Sequence, residues 1–526
     1  MFAVITGMAL FAVVCACAFG LAWKATAERK ASRYYGLSEY GGSAQLLSDK
    51  HDLRKLGYVQ LLRRNIGGIP LFGLSFNVCG LTAAAFLLFA PVLHAGGPSV
   101  IGYGLPVAAL FSLLVAASLA ELSSAMPAAG GVGFWAQQLG GRKWGVRAGW
   151  YGAAGHLATL ALFNMGCSIV LDSLLSSKWG YTPSSFSFWL AVLAVTVSQA
   201  ALHTWGAALL GVLQSLSMWL QGSLALAIVC SLVWLLWPPP YSPSILYSFY
   251  DGALSGTVSA GGFLAGCLLL LKLFIGFDAA AHVAEETVEP RVRVPWAMYL
   301  TVVYVALGGI SLLSMMAITL GFADWASGEA SLLRFMTETA TGGAASVIAA
   351  LLIVFALWGS GLQSMTVCSR ALFSLSRDYA LPFSSYWSAV SFRSQSPARA
   401  VWLAAGFSPL LLAGVFAAAG SSRSEDVIRL LLSCIVVFAH ASYAIPIGLR
   451  LLNRIERTPH LSKSPWQLGD WSPAVNWTAF IWLLATSILA STFVHHFAAV
   501  AAAALLLATS LTGFLTKPDG LREIHE

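Results

Sequence analysis

The stretch GFDAAAHVAEETVEPRVRVP, residues 276–295, concentrates ionisable side chains directly after an apolar run. That run, 262–275, is hydrophobic enough to form a buried helix, and it ends at a glycine. Four titratable residues then follow in quick succession: Asp278, His282, Glu285 and Glu286. Such groups are costly to bury in an apolar segment, so we interpret them as gating or coupling groups that bind a cation, carry a proton or close a passage.

A helix that breaks inside a membrane leaves carbonyl groups unpaired on one half and N–H groups unpaired on the other. These groups can bind the ammonium and the carboxylate of a zwitterion, respectively. We expect Asp278 to begin the second half-helix and to cap its free N–H groups. For Glu285 and Glu286 we expect ion pairs with Arg291 or Arg293, or with arginines of another cytoplasmic loop. Direct proton coupling by the two glutamates is the alternative.

The composition is that of a membrane protein. Of the 526 residues, 58% are hydrophobic and 10% are charged, and the mean hydropathy is +0.76; soluble domains carry about 25% charged residues. A bilayer core requires about 20 apolar residues per helix, and we predict twelve core spans: 67–93, 99–126, 145–176, 186–209, 211–237, 257–285, 296–320, 343–370, 400–419, 427–452, 473–493 and 495–515. Helices satisfy their own backbone polar groups in lipid, so we predict an all-α integral membrane protein.

Basic residues indicate the orientation of these spans. Of the 29 Lys and Arg residues, 24 fall on one side of the predicted membrane, and Lys272 falls inside a span. The positive-inside rule places the basic segment 24–65 and the tail 517–526 in the cytoplasm. The apolar stretch 1–23 has no basic region before it, so we expect an uncleaved helix or signal anchor. The net charge of +7 therefore reflects topology and not nucleic-acid binding, and no motif indicates a cofactor or a metal site.

Two glycine-containing interruptions divide the chain into similar blocks. One lies in NVCGLT, 77–82, and the other in FIGFD, 274–278. Each opens a block of five predicted spans, 66–237 and 257–453, followed by two accessory helices in 473–516. Because five is odd, the second block is inverted in the membrane, and paired interruptions of this kind indicate a transporter binding site. Close packing of helices is the alternative explanation of the glycines.

The sequence GFDAAAHVAEETVEPRVRVPWAM resembles the sixth-helix signature of the amino acid–polyamine–organocation transporters. It is most similar to the branch with fungal GABA and choline permeases and plant bidirectional amino acid transporters. DLRKLGYVQLLRRN, SLAELSSAMPAAGGVGFWAQQL, SRALFSLSRDYALPFS and SYAIPIGLRL agree in order and spacing, and the resemblance covers about 52–516. It implies a leucine-transporter-like fold, with 5 + 5 inverted repeats and two further helices, that works by alternating access.

The resemblance also implies a binding site at the two interruptions. The substrate carboxylate would bind at the unwound part of the first span, at Val78, Cys79, Gly80 and Leu81. The ammonium would meet carbonyls of Phe274, Ile275 and Gly276. An aromatic ring, Phe274 or Phe277, would close over the substrate.

Three further features inside the spans are candidates for the site. His156 would either take part in proton coupling or bond a neighbouring helix. Lys272 costs about 2.5–3.5 kcal/mol to insert near the bilayer centre, so we expect it to face the interior. There it would cap carbonyls, or line the pocket and repel cationic substrates. Ser364 and Thr366 would contribute oxygens to a cation site against the first span.

We therefore predict a secondary permease for amino acids or related amines such as GABA, driven by H⁺ or Na⁺ or by exchange. A choline or polyamine permease of the same fold and a non-transporting nutrient receptor are the alternatives. An intramembrane enzyme is disfavoured, because the carboxylates lie near span ends and neither HExxH nor GxSxG is present. The plasma membrane is the expected location, with an organelle membrane as the alternative.

Overall fold

The computed structural model of the protein is almost entirely helical. It describes residues 47–515 except 48, 59, 63, 206, 250–257, 320–343, 391–395, 421–423 and 453–463. The predictions for 1–23 and 517–526, and for most of 24–65, lie outside the described residues.

The helices follow one another in the order expected from the two blocks. The first block contains α1 (Gly68–Cys79), α2 (Leu81–Gly96), α3 (Leu105–Ala125), α4 (Gly131–Gly140), α5 (Arg142–Trp179), α6 (Ser185–Trp205) and α7 (Ala207–Leu236). The second contains α8 (Ala260–Leu270), α9 (Ala279–His282), α10 (Pro290–Thr319), α11 (Ala344–Arg377), α12 (Ser384–Trp387), α13 (Ala398–Ala419) and α14 (Ser424–Leu452). They are followed by α15 (Ser472–Leu489) and α16 (Phe497–Leu515).

Eleven helical stretches among the described residues are long and apolar enough to cross a membrane. They match the first eleven predicted spans in order, which confirms a multi-pass helical membrane protein. The twelfth predicted span corresponds to α16, whose apolar part, Phe497–Ser510, is shorter. The count of twelve and the extra N-terminal helix stay predictions.

The interrupted helices lie at the centre of the bundle and the accessory helices at its edge. In the most apolar window of α1 and α2, 89% of residues are buried, as they are in α14, against 22% in α15. The exposed side chains of the peripheral helices include Phe186, Leu190, Ile481 and Ile488. Apolar side chains facing outwards are suited to lipid, so the polar chemistry of the protein is confined to the centre.

The interruptions occur where the sequence predicts them. Gly80 separates α1 from α2 with a left-handed backbone, φ +70°. On the second block, α8 continues into a 3-10 turn, Leu271–Phe274, and Gly276 then has φ +117° before α9. Glycine adopts such angles without the strain that a Cβ atom would bring.

The two breaks also pack directly against each other. A Cβ atom on Gly276 would lie 2.6 Å from Cγ1 of Val78 and 3.1 Å from the backbone N of Cys79. A Cβ atom on Gly80 would lie 2.7 Å from Cζ of Phe163. Both glycines are therefore required by space as well as by backbone angle.

We expect Gly80→Val to abolish most transport while the protein still inserts into the membrane. The left-handed angle costs a branched residue about 1–3 kcal/mol, and the new side chain would push Phe163 away from the break. Uptake by the purified variant in proteoliposomes should fall about tenfold or more. Gly414→Val on α13, where a Cβ atom would meet nothing within 4 Å, is the matched control. Wild-type uptake by Gly80→Val would remove the first break from the site.

Candidate functional site

The ammonium of Lys272 joins the two helix breaks. Lys272 lies in the 3-10 turn and is 0% exposed. Its Nζ donates to the carbonyl oxygens of Val78 and Cys79 at the first break, and of Ile275 at the second, each at 3.4 Å. It also lies 4.9 Å from the ring centroid of Phe163, a favourable cation–π position. These contacts match the expectation that Lys272 caps carbonyls; its effect on substrate choice stays a prediction.

The residues expected to bind substrate are brought together and are closed off from solvent. Cys79 Sγ lies 3.8 Å from the carbonyl oxygen of Phe274, and the Phe277 ring packs 5.4 Å from that of Tyr443. The predicted substrate-binding side chains of both breaks are at most 3% exposed: Val78, Cys79, Leu81, Phe274, Ile275 and Phe277. The conformation is therefore occluded, and substrate binding by these residues stays a prediction.

Polar side chains of α7 and α11 support the first break. Gln221 accepts a hydrogen bond at Oε1 from the backbone N–H of Thr82, at 3.3 Å, and so caps the first turn of α2. Its Nε2 donates to Oδ1 of Asn77 and to Oγ of Ser360, at 3.2 and 2.7 Å. The sequence analysis did not single out Gln221 or Ser360. A lone amide within an apolar span was the signal that could have identified Gln221.

Asp278 lies at the centre of a buried polar cluster formed with His156, His282 and Tyr443. The Tyr443 hydroxyl donates to Asp278 Oδ1 at 2.6 Å. Oδ2 lies 3.1 Å from Nε2 of His156 and 3.4 Å from Nε2 of His282, and the two Nε2 atoms are 3.3 Å apart. His156 thus lies at the second break, as expected of a site residue, although Tyr443 was not predicted.

The capping contact expected of Asp278 is not formed. Its side chain makes no capping hydrogen bond to α9, and Oγ of Ser75 instead accepts from the N–H of Ala280 at 3.0 Å. The physical reason is the demand of a buried carboxylate for strong donors, which the hydroxyl and the imidazoles satisfy. Asp278 therefore connects α9 to α5 and α14.

Glu285 and Glu286 form ion pairs with the last two turns of α11. Arg377 Nη1 lies 2.9 Å from Glu285 Oε1. Arg370 binds both carboxylate oxygens of Glu286, with Nε–Oε1 at 2.8 Å and Nη2–Oε2 at 3.2 Å. The N–H of Ala129 also donates to Glu285 Oε1, at 3.0 Å. We call these two ion pairs, Glu285–Arg377 and Glu286–Arg370, the latch.

The partners of the glutamates are thus arginines from another part of the chain, the second of the two options predicted. Arg291 instead donates from Nε to the carbonyl oxygen of Ser124, at 3.2 Å. Arg293 pairs with Glu289 at 3.1 Å. Both arginines belong to the first turn of α10, which carries them away from the glutamates.

The segment before α1 reinforces the latch. The N–H groups of Asn65 and Ile66 both donate to the carbonyl oxygen of Glu286, at 2.9 Å. The Arg377 guanidinium carbon lies 3.8 Å from the ring centroid of Tyr58, whose hydroxyl donates to Asp378 at 3.0 Å. Burial, and then the nearby Asp378 carboxylate, raise the pKa of the Tyr58 hydroxyl well above its usual range. Tyr58 therefore stays protonated and keeps donating.

Ser364 and Thr366 are not brought together. Ser364 Oγ donates to the carbonyl oxygen of Ser360 at 2.8 Å. Thr366 Oγ1 instead lies 2.8 Å from Nε2 of His203 and 3.2 Å from Nε2 of Gln214. Residues two apart face different sides of a helix, so the cation site stays a prediction that this arrangement does not favour.

Solved structures share this architecture. A manganese transporter of Eremococcus coleocola, crystallised in a mutant form, superposes with a TM-score of 0.52 at 12% identity, over 85% of this chain and 93% of that chain. At that identity the likeness shows the fold alone, and it confirms the expected leucine-transporter-like architecture.

Similar sequences are transporters. The amino-acid permease BAT1 of Arabidopsis thaliana is 28% identical over 84% of this chain and 87% of that protein. Amino-acid permease 2 of Neurospora crassa is 26% identical over 82% and 79%, respectively. The thiamine transporter thi9 of Schizosaccharomyces pombe is 24% identical over 80% and 76%. These relatives confirm a membrane transporter and not an enzyme.

The family match spans both breaks, the buried cluster and the latch. The amino acid permease family model matches residues 66–510, which is most of the chain. The two-block organisation, the interrupted helices and the resemblance of the sixth-helix sequence all fall within this match. This protein belongs to the amino acid permease family.

Proposed function

We propose that this protein is an alternating-access permease for zwitterionic amino acids or related amines such as GABA, coupled to protons or working by exchange. The observation that carries the proposal is the position of the Lys272 ammonium, on carbonyls of Val78, Cys79 and Ile275. Carbonyls that stabilise one buried ammonium are chemically suited to another. The substrate's ammonium would take these carbonyls when the breaks separate and the lysine withdraws.

The carboxylate of the substrate would bind at the start of α2. The N-terminus of a helix carries partial positive charge and N–H groups without intrahelical partners. Gln221 already satisfies one of these groups, the N–H of Thr82, which indicates that this turn needs an acceptor. Lys272 adds a positive charge beside the same break, so a zwitterion would be favoured over a purely cationic amine.

The latch would close the cytoplasmic side in this occluded conformation. Its four side chains are at most 13% exposed, so both ion pairs are largely removed from water. Contacts made in only one state shift the balance between states. Opening towards the cytoplasm would require both pairs to separate and the charges to be hydrated. We place the protein in the plasma membrane, with the latch on the cytoplasmic face.

Transport by purified protein tests the proposal. In proteoliposomes we expect uptake of a labelled neutral amino acid that unlabelled zwitterions inhibit more strongly than choline or putrescine. An imposed pH gradient should raise the initial rate if protons drive uptake, whereas internal amino acid should raise it if exchange operates. Strong inhibition by choline alone would favour the cationic-amine alternative, and binding without uptake would favour a receptor.

Neutralising the latch should shift the protein towards a state open to the cytoplasm. We expect Glu285→Gln/Glu286→Gln to raise labelling of a reporter cysteine, Ser374→Cys, by an impermeant reagent about tenfold, since 1.4 kcal/mol suffices for that change. Glu425→Gln, which removes the ion pair of Glu425 with Arg429, is the control and should leave labelling unchanged. Equal labelling in the double variant and its parent would reduce the latch to a static contact.

Removing the charge of Lys272 should change the ranking of substrates. We expect Lys272→Gln to weaken inhibition by zwitterions severalfold and to strengthen inhibition by choline and putrescine, because a repulsive charge is lost. Lys272→Met, also neutral, should change the ranking in the same direction. An unaltered ranking in folded variants would make Lys272 purely structural.

A further inference from the structure

We propose that His156, His282 and Asp278 form a binding site for a divalent transition-metal ion, best matched by Zn²⁺. The sequence analysis predicted no metal site, and the three residues are widely separated along the chain. Their ligand atoms, two imidazole Nε2 atoms and the carboxylate Oδ2, lie within 4.8 Å of one another and are buried. Imidazole and carboxylate groups are ordinary ligands of zinc.

The geometry fits an ion at the centre of the three atoms. The atoms form a nearly equilateral triangle with sides of 3.1, 3.3 and 3.4 Å. A point at or just above its centre is about 2 Å from each atom, which is the length of Zn–N and Zn–O bonds. Three protein ligands with a fourth, open position are a common zinc arrangement.

Hydrogen bonds alone do not account for this convergence. Each neutral imidazole offers either a proton or a lone pair at Nε2, and an ionised carboxylate only accepts. Two neutral imidazoles can therefore satisfy at most two of the three contacts, and the Nε2–Nε2 contact is left between like groups. A divalent cation would be attracted to all three atoms at once.

Neighbouring groups orient the ligands as supporting residues do in metal sites. The Tyr443 hydroxyl donates to Oδ1 of Asp278 at 2.6 Å, which leaves Oδ2 to face the imidazoles. Such outer contacts fix the ligand atom and tune its basicity. Nδ1 of His282 has no hydrogen-bond partner among the described residues, so the ring is held by its Nε2 side.

An entry path leads to the cluster from the latch side. A cavity of about 400 Å³ is lined by His282 together with Gly130, Ser374 and Asp378. An ion in the site would tie α9, just after the second break, to α5 and through Tyr443 to α14. If the proposed transport cycle is correct, bound metal would hold the break in place and inhibit uptake.

Titration of the purified full-length protein with Zn²⁺ alone tests the site without reference to transport. We expect one high-affinity equivalent by calorimetry, weakened about 100-fold or more in His156→Gln and His282→Gln, and about 10–100-fold in Tyr443→Phe. His440→Gln is the matched control, because His440 is also buried but bonds Thr486. It should bind Zn²⁺ as the wild type does.

Two further readouts cover variants that lose their fold. Zn²⁺ should raise the melting temperature of the wild type and of His440→Gln, since a ligand of the folded state stabilises it, but not that of the cluster variants. Co²⁺ added to the wild type should give the visible absorption of nitrogen and oxygen ligation, which Zn²⁺ then displaces. Absence of both effects in the wild type, or wild-type affinity in folded His156→Gln and His282→Gln, would overturn the proposal. The binding result stands whether or not the protein transports amino acids.

Discussion

The arrangement depends on how this protein satisfies backbone carbonyls that its broken helices expose inside the membrane. Unpaired carbonyls in a bilayer cost several kcal/mol each, and neither break can satisfy its own. One buried ammonium, on Lys272, contacts carbonyls of both breaks. The glycines at 80 and 276 allow the breaks to approach closely enough for this sharing. Any movement that separates the breaks must therefore provide another cation or another set of donors.

The same breaks determine where the ionisable groups lie. The turn after Gly276 directs Asp278 towards α5 and α14, and the chain then carries Glu285 and Glu286 to the end of α11. The segment before the first break pairs with the segment after the second, through the backbone of Ile66 and Thr287. A change at the substrate site is thus connected to the latch through one short stretch of chain.

Much of this could be predicted from local sequence. Composition and periodicity located the spans, and glycine within apolar runs located both breaks, because these features depend on neighbouring residues. Contacts between distant segments could not be predicted in this way. Nothing local distinguishes Arg370 and Arg377 from other cytoplasmic arginines, or brings His156 to His282. Phe163 and Gln221 likewise acquire their roles only when α5 and α7 pack against the first break.

The central claim is that the two breaks form the substrate site, and Cys79 allows a direct test. In a variant retaining Cys79 as its sole cysteine, the rate of labelling by a membrane-permeant thiol reagent is measured during turnover in proteoliposomes. Cys79 is 0% exposed in the occluded conformation, so labelling reports opening of the break. The account predicts that a saturating transported amino acid slows labelling, while an amine that is not transported leaves it unchanged. Labelling unaffected by a saturating transported substrate would contradict the account.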